Sequence, residues 1–172
     1  VASKGFRIGL VSLAAALAGA ALTTGMPEPA VEVVHERTGR VLWRIPVHDG
    51  SRVALHYVNS LVHAPTSEQF VVDGRMLRLV EVTTTAEAVM EYLRLDPPYQ
   101  VRGGWLVAPT SGPVLPVLVT RIGQTGRQWL DVDGRSLPLY EVGVGEAVRI
   151  QVVRRPRAVV RFQPHRQVQK TP

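Results

Sequence analysis

Two histidines, an Asn-Ser pair and a glutamate fall within the fifteen residues from His56 to Phe70, "HYVNSLVHAPTSEQF", the densest polar chemistry in the chain. These residue types could serve three kinds of site. Ser60 as nucleophile, His63 or His56 as its base and Glu68 as the orienting carboxylate would make a hydrolase centre, which is recognised by geometry and not by closeness in sequence. No G-x-S-x-G elbow surrounds any serine, so the most legible form of that chemistry is missing. His48, His56, His63 and Glu68 could hold a metal, but their spacing matches no ligand motif, and no metal or cofactor is expected. The third kind is a polar pocket for a small solute, with Tyr57, Asn59, Ser60, His63, Glu68 and Glu81 as its candidates. The reading favoured over it is that the carboxylates hydrogen-bond and fix the 59–67 loop, as buried polar groups commonly do.

Strand alternation must position these side chains. In "RVALHYV", Val53, Leu55 and Tyr57 share one face, and Ala54, His56 and Val58 share the other. On the returning strand Glu68, Phe70 and Val72 share a face, which puts Glu68 on the apolar side. With Asp73-Gly74 as a two-residue turn, Val72 faces Arg75, Phe70 faces Leu77 and Glu68 faces Leu79. Glu81 is then the diagonal neighbour of Glu68 on that face. Two carboxylates on an apolar face need partners or must protonate. Arg75, Arg52 or the amides of the 59–67 loop are the donors within reach.

Alternation rules most of the chain beyond residue 30. Strands are expected at 31–37, 40–46, 52–58, 68–73, 75–83, 104–109, 117–123, 127–133, 135–142 and 147–155. Thr38-Gly39, Asp49-Gly50, Asp73-Gly74 and Asp133-Gly134 mark the turns between them. "VDGRMLRLVEV" (72–82) and "VDGRSLPLYEV" (132–142) agree at eight of eleven positions, which suggests two similar hairpins. From Ala86 to Pro116 the pattern breaks into "AEAVMEYLRL", a short helix, and Pro/Gly-rich turns that either bind something or wrap an end of the domain. Trp43, Trp105 and Trp129 each lie in an apolar strand and are expected in the core. The fold class is therefore all-β: an antiparallel β-sandwich or partly open barrel of about ten short strands, preceded by an N-terminal signal or anchor helix.

Charge sits at the two ends. The chain of 172 residues carries a net +6, yet residues 27–153 hold twelve basic and fourteen acidic side chains, about −2. Residues 154–172 hold six Lys or Arg and no acid, a basic tail read as a flexible extension that could touch a membrane surface. The body lacks the basic, aromatic-studded face that nucleic acid requires, so no nucleic-acid partner is expected. Lys4 and Arg7 ahead of the apolar run 8–22, with small residues at its end, read as a signal peptide or membrane anchor over 1–26. That places residues 27–153, the β domain, in the periplasm or at the outer face of the inner membrane. The absence of cysteine removes disulfides, thiolate metal sites and a cysteine nucleophile.

The segment "RVALHYVNSLVHAPTSEQFVVDGRMLRLVEV" resembles the signature of a small bacterial family, domain of unknown function number 1850. There a strand ending in Tyr-x-His-Ser leads to a Pro-x-x-Glu segment and a strand bearing Glu-Thr. Tyr57, Ser60, Glu68, Glu81 and Thr83 fall on motif positions, and "GRQWLDVDGRSLPLYEVGVGEAVRIQV" (126–152) is similar to the family's C-terminal hairpins. Asn59 stands where the family has histidine, and the family's Gly-rich segment has no counterpart in "TTAEAVMEYLRL". The family is often encoded beside TAXI-type TRAP transporters, so the resemblance implies an exported accessory or binding module for solute uptake. TRAP transporter subunits or a small solute are its implied partners. A periplasmic hydrolase using Ser60 with a nearby histidine, and a structural periplasmic protein held near the membrane, are the alternatives.

Overall fold

The computed structural model describes residues 27–161. The expected leader and residues 162–172 of the basic tail lie outside that range. No helix among the described residues is long and apolar enough to cross a membrane.

Among the described residues twelve strands form two antiparallel sheets. One contains β1 (Pro27–His35), β2 (Val41–Pro46), β9 (Val117–Arg121) and β12 (Ala147–Pro156), in the order β2-β1-β12-β9. The other holds β3 (Arg52–Val58), β4 (Pro65–Asp73), β5 (Met76–Thr84), β6 (Gln100–Arg102), β7 (Trp105–Pro109), β10 (Trp129–Val132) and β11 (Arg135–Leu137). Its order is β11-β10-β3-β4-β5-β7-β6, and β8 (Val114–Leu115) pairs with β5. Val31, Val33, Val148 and Ile150 of the first sheet pack in one core with Val53, Leu55, Phe70, Leu77 and Leu130 of the second. The expected all-β antiparallel architecture is present as two sheets, and neither closes into a barrel. The segment 86–116 contains the expected short helix, Glu87–Tyr92, whose Val89 and Met90 are buried, and the expected strand as β7; β6 and β8 add strands where only irregular turns were expected.

The two "VDGR" hairpins differ. In the second, Val132 pairs with Arg135, leaving Asp133 and Gly134 as the turn with φ of 46° and 80°, the type I′ signature. In the first, Asp73 pairs with Met76, so the turn moves on by one residue to Gly74-Arg75, with Gly74 at φ 62°. Tertiary bonds separate the two cases. Asp133 Oδ1 accepts the Arg52 amide at 2.8 Å, whereas Gly74 donates its amide to Asp49 Oδ1 at 2.9 Å. Val72 therefore faces Leu77 and Phe70 faces Leu79, correcting the expected register. A β-bulge follows. Gln69 pairs with Glu81 while Phe70 pairs with Leu79, so Val80 is the extra residue. The bulge reverses the alternation: Leu77 and Leu79 face inward, then Val82 and Thr84 do.

β12 also runs past the expected domain boundary at 153, because Arg154, Arg155 and Pro156 pair with Pro29, Glu28 and Pro27. A helical turn, Arg157–Arg161, then lies against β1, β2 and β12 and buries Val160. Beside it, on the face of β1 away from the core, Glu32 is only 1% exposed. Arg44 (2.6 Å) and Arg155 (3.2 Å) neutralise it, and Arg44 also donates to the Val159 carbonyl. The first residues of the tail are part of the fold.

Candidate functional site

Asn59 organises the polar loop. Its Oδ1 accepts the amides of Leu61 (3.0 Å) and Val62 (3.3 Å), and its own amide donates to the Ala64 carbonyl at 2.9 Å. This is an Asx turn, in which a short side chain mimics the backbone of a tight turn. His63 closes the loop at φ 52°, a left-handed conformation that histidine tolerates better than most residues. Asn59 is buried at 9% exposure, while Ser60, Leu61, Val62 and His63 form the exposed tip.

Below the loop, Tyr57 and Glu68 point inward from β3 and β4. The phenol donates to Glu68 Oε1 at 2.6 Å. Burial pushes the Glu68 carboxyl above its usual range, and the Tyr57 hydrogen bond opposes this only in part. Burial, then the neighbouring Glu68 charge, raises the phenol far beyond its ordinary value, so Tyr57 remains a hydrogen-bond donor. Thr66 and Thr84 share a bond at 3.2 Å between their hydroxyls on the next inward row.

The end of β3 forms one wall of a cleft of about 250 Å³. Tyr57, Val58, Asn59, Ser60 and Leu61 line it from one side, Tyr92 from the short helix, and Thr120, Arg121, Thr125 and Gln128 from β9 and its connection to β10. That connection is pinned. Gln128 Oε1 accepts the Gly123 amide at 2.8 Å, and Gly126 (φ 72°) approaches Val58 so closely that a Cβ there would lie 2.5 Å from its Cγ2. Arg121 gives one N–H to the Gly145 carbonyl at 2.7 Å, and its other donors have no protein partner among the described residues. The cleft therefore offers one guanidinium, several hydroxyls and an amide, with no carboxylate in its lining. A small carboxylate or similar anion suits that set.

The structure divides the residues singled out from the sequence. Tyr57, Asn59 and Ser60 line the cleft; Glu68 touches it through Tyr57; His63 sits at the loop tip. Glu81 is corrected: the bulge turns it to the opposite face of the sheet, where Gln69 Nε2 donates to it at 3.0 Å. His56 shares that outer face, stacked on Trp129 with ring centroids 4.6 Å apart and its Nε2 3.1 Å from Asp131. Neither His56 nor His63 lines the cleft beside Ser60, and no three His, Asp or Glu side chains converge among the described residues. Sequence reasoning missed Tyr92, Thr120, Arg121 and Gln128; a cation ending a strand opposite the loop was their only signal. Trp105 and Trp129, expected in the core, are each 37% exposed.

Neither the family models nor the curated proteins nor the solved structures compared with this chain contain a match to it.

Proposed function

We propose that the chain is an exported β-domain binding module, accessory to TRAP-type solute uptake, and that it takes a small organic acid in the cleft between the 59–64 loop and β9. The observation that carries this reading is the convergence of Arg121, which gives one N–H to the Gly145 carbonyl and lies near the Glu146 carboxylate, with Ser60, Thr120, Thr125 and Gln128 around about 250 Å³. The resemblance of residues 52–82 to the exported family and the basic, apolar leader support the compartment and the transporter partner. In this reading Asn59 shapes the loop, Tyr57 and Glu68 stiffen its base, and the domain lies in the periplasm or at the outer face of the inner membrane.

A thermal-shift screen of the full chain against succinate, citrate, glutamate, neutral amino acids and divalent metals tests it. An organic acid at a hundredfold excess over its Kd should add about 2.7 kcal/mol, or several degrees of Tm. Arg121→Ala should remove the shift and leave the unliganded Tm nearly unchanged. Failure of every carboxylate to stabilise the protein counts against the reading, as does an equal shift in the Arg121→Ala protein.

A further inference from the structure

Both ends of the described chain leave the domain at one place. The β1–β12 ladder sets Pro27 opposite Pro156, and the helical turn Arg157–Arg161 continues from there. The 47–51 connection carries the chain from the end of β2 to the start of β3. There Gly50 donates its amide to the Val72 carbonyl and Asp133 to the Arg52 carbonyl, so the 73–75 and 133–135 turns belong to the same end. The cleft lies at the other end, because its Arg121 pairs with Ala147, the first residue of β12. The length of β12, Ala147–Pro156, puts about 30 Å between the two.

The ends differ in charge. At the Pro27 end Arg52, Arg75, Arg135, Arg154 and Arg155 are exposed, and Arg157 keeps 42% of its side chain in the open. The carboxylates among them are engaged within the fold. Asp49 accepts the Gly74 amide, Asp133 the Arg52 amide and Asp73 an N–H of Arg78, while Glu28 is 3.9 Å from Arg157. Arg155 also pairs with Glu32. No acid follows Glu146 in the sequence, whereas Arg161, Arg166 and Lys170 do. Exposed Val159 and Ala158 add a small apolar surface beside Arg157. The cleft end has no such excess, since Glu36, Glu87, Glu91, Asp96, Glu141 and Glu146 match its arginines in number.

What leaves beside these arginines names their partner. Residues 8–22 are an uncharged apolar run, and the steps from Leu22 to Pro27 reach at most about 18 Å. A bilayer that takes up this run lies closer to the arginines than to the cleft, and anionic headgroups attract each exposed guanidinium. We infer that the Pro27–Pro156 end docks on an anionic lipid surface through Arg135, Arg154, Arg155 and Arg157, and holds the cleft about 30 Å out from it. The inference rests on the leader reading of residues 1–26 and not on what the cleft binds.

The chain has no cysteine, so Val159→Cys and Gln124→Cys each take a single fluorophore, one at the basic end and one beside the cleft. The labelled full chain is mixed with vesicles of phosphatidylcholine, alone or with phosphatidylglycerol, that carry a nitroxide quencher on their headgroups. With phosphatidylglycerol present, the label at 159 should be quenched severalfold more than the label at 124. Phosphatidylcholine alone should give a much weaker contrast. Arg154→Gln combined with Arg157→Gln should remove most of the contrast, with circular dichroism showing the variant folded and the leader still holding it on the vesicles. Docking is overturned if the chain binds the vesicles but both labels are quenched alike, if the contrast is the same in both lipids, or if the folded double variant retains it. A chain that stays off both kinds of vesicle overturns the leader reading and this inference with it.

Discussion

Glu68 is half-buried under the cleft and Glu32 fully buried between β2 and β12, and their surroundings give them opposite titrations. Burial raises Glu68, whose one hydrogen-bonded partner is the neutral Tyr57 phenol. Burial also acts upward on Glu32, but the Arg155 and Arg44 guanidiniums outweigh it and hold the carboxyl below the usual range. A raised carboxyl favours the fold while protonated, so the stability tied to Glu68 is full below the ordinary carboxylate range and is lost as pH climbs through the higher folded value. A lowered carboxyl does the reverse: the stability tied to Glu32 is present above the ordinary range and is lost as acid is added. Glu68→Gln should therefore raise Tm at neutral pH relative to the parent and flatten the decline on the alkaline side. Glu32→Gln, which leaves two guanidiniums short of their counter-charge, should cost about 3 kcal/mol at neutral pH and much less in acid. Denaturant titrations from pH 3 to pH 8 would separate them, and parallel curves would contradict both assignments. At this scale the inward direction of Glu68 was legible from alternation. Arg121 was not, because nothing in one dimension sets it apart among eighteen arginines until β9 is laid beside the loop.

The elements show where local patterns stop deciding. Most strands follow from alternation and Asp-Gly turns. Yet one motif, Val-Asp-Gly-Arg, makes two different turns, because the bonds that anchor Asp133 and Gly74 come from the 49–52 segment. The fate of Glu81 did leave a trace in the sequence. Leu79-Val80 are consecutive apolar residues, and the inward phase moves from 77 and 79 to 82 and 84 across them. A strict period of two hides such a break. The 122–128 connection gives the sharpest test of an element, since Gly126 combines positive φ with backbone packed on Val58. Gly134 has a similar φ of 80° with open space around it. Gly134→Ala should then cost only about 1 kcal/mol of backbone strain. Gly126→Ala should cost some 1–3 kcal/mol more through overpacking and weaken any ligand of the cleft. Equal losses in chemical denaturation would show that Val58 gives way without cost.

At the scale of the whole domain, two antiparallel sheets share one core, and among the described residues the first strand pairs with the last. Pro27 lies opposite Pro156 and His35 opposite Val148, a ladder that joins residues more than a hundred positions apart. Alternation and turn signals indicated an all-β domain, but no pattern in the sequence could name this partner, since every apolar strand is a candidate edge for every other. The ladder also explains why the domain runs past residue 153. A circular permutant that joins residue 161 to residue 27 by a short flexible linker and opens the exposed Gly103-Gly104 turn should keep the same sheets. By turning the ladder into a local hairpin it removes about 2 kcal/mol of closure entropy, and it should refold several-fold faster in stopped-flow measurements. Unchanged kinetics would mean that the ladder forms after the rate-limiting step.

β1 is an interior strand of its sheet, flanked by β2 on one side and β12 on the other. During synthesis the two neighbours arrive far apart in time. The β1–β2 hairpin emerges early, and its second edge stays unpaired until residues 147–156 have left the ribosome. For that interval a growing chain displays a valine-rich strand edge, the kind of template on which two nascent copies pair wrongly.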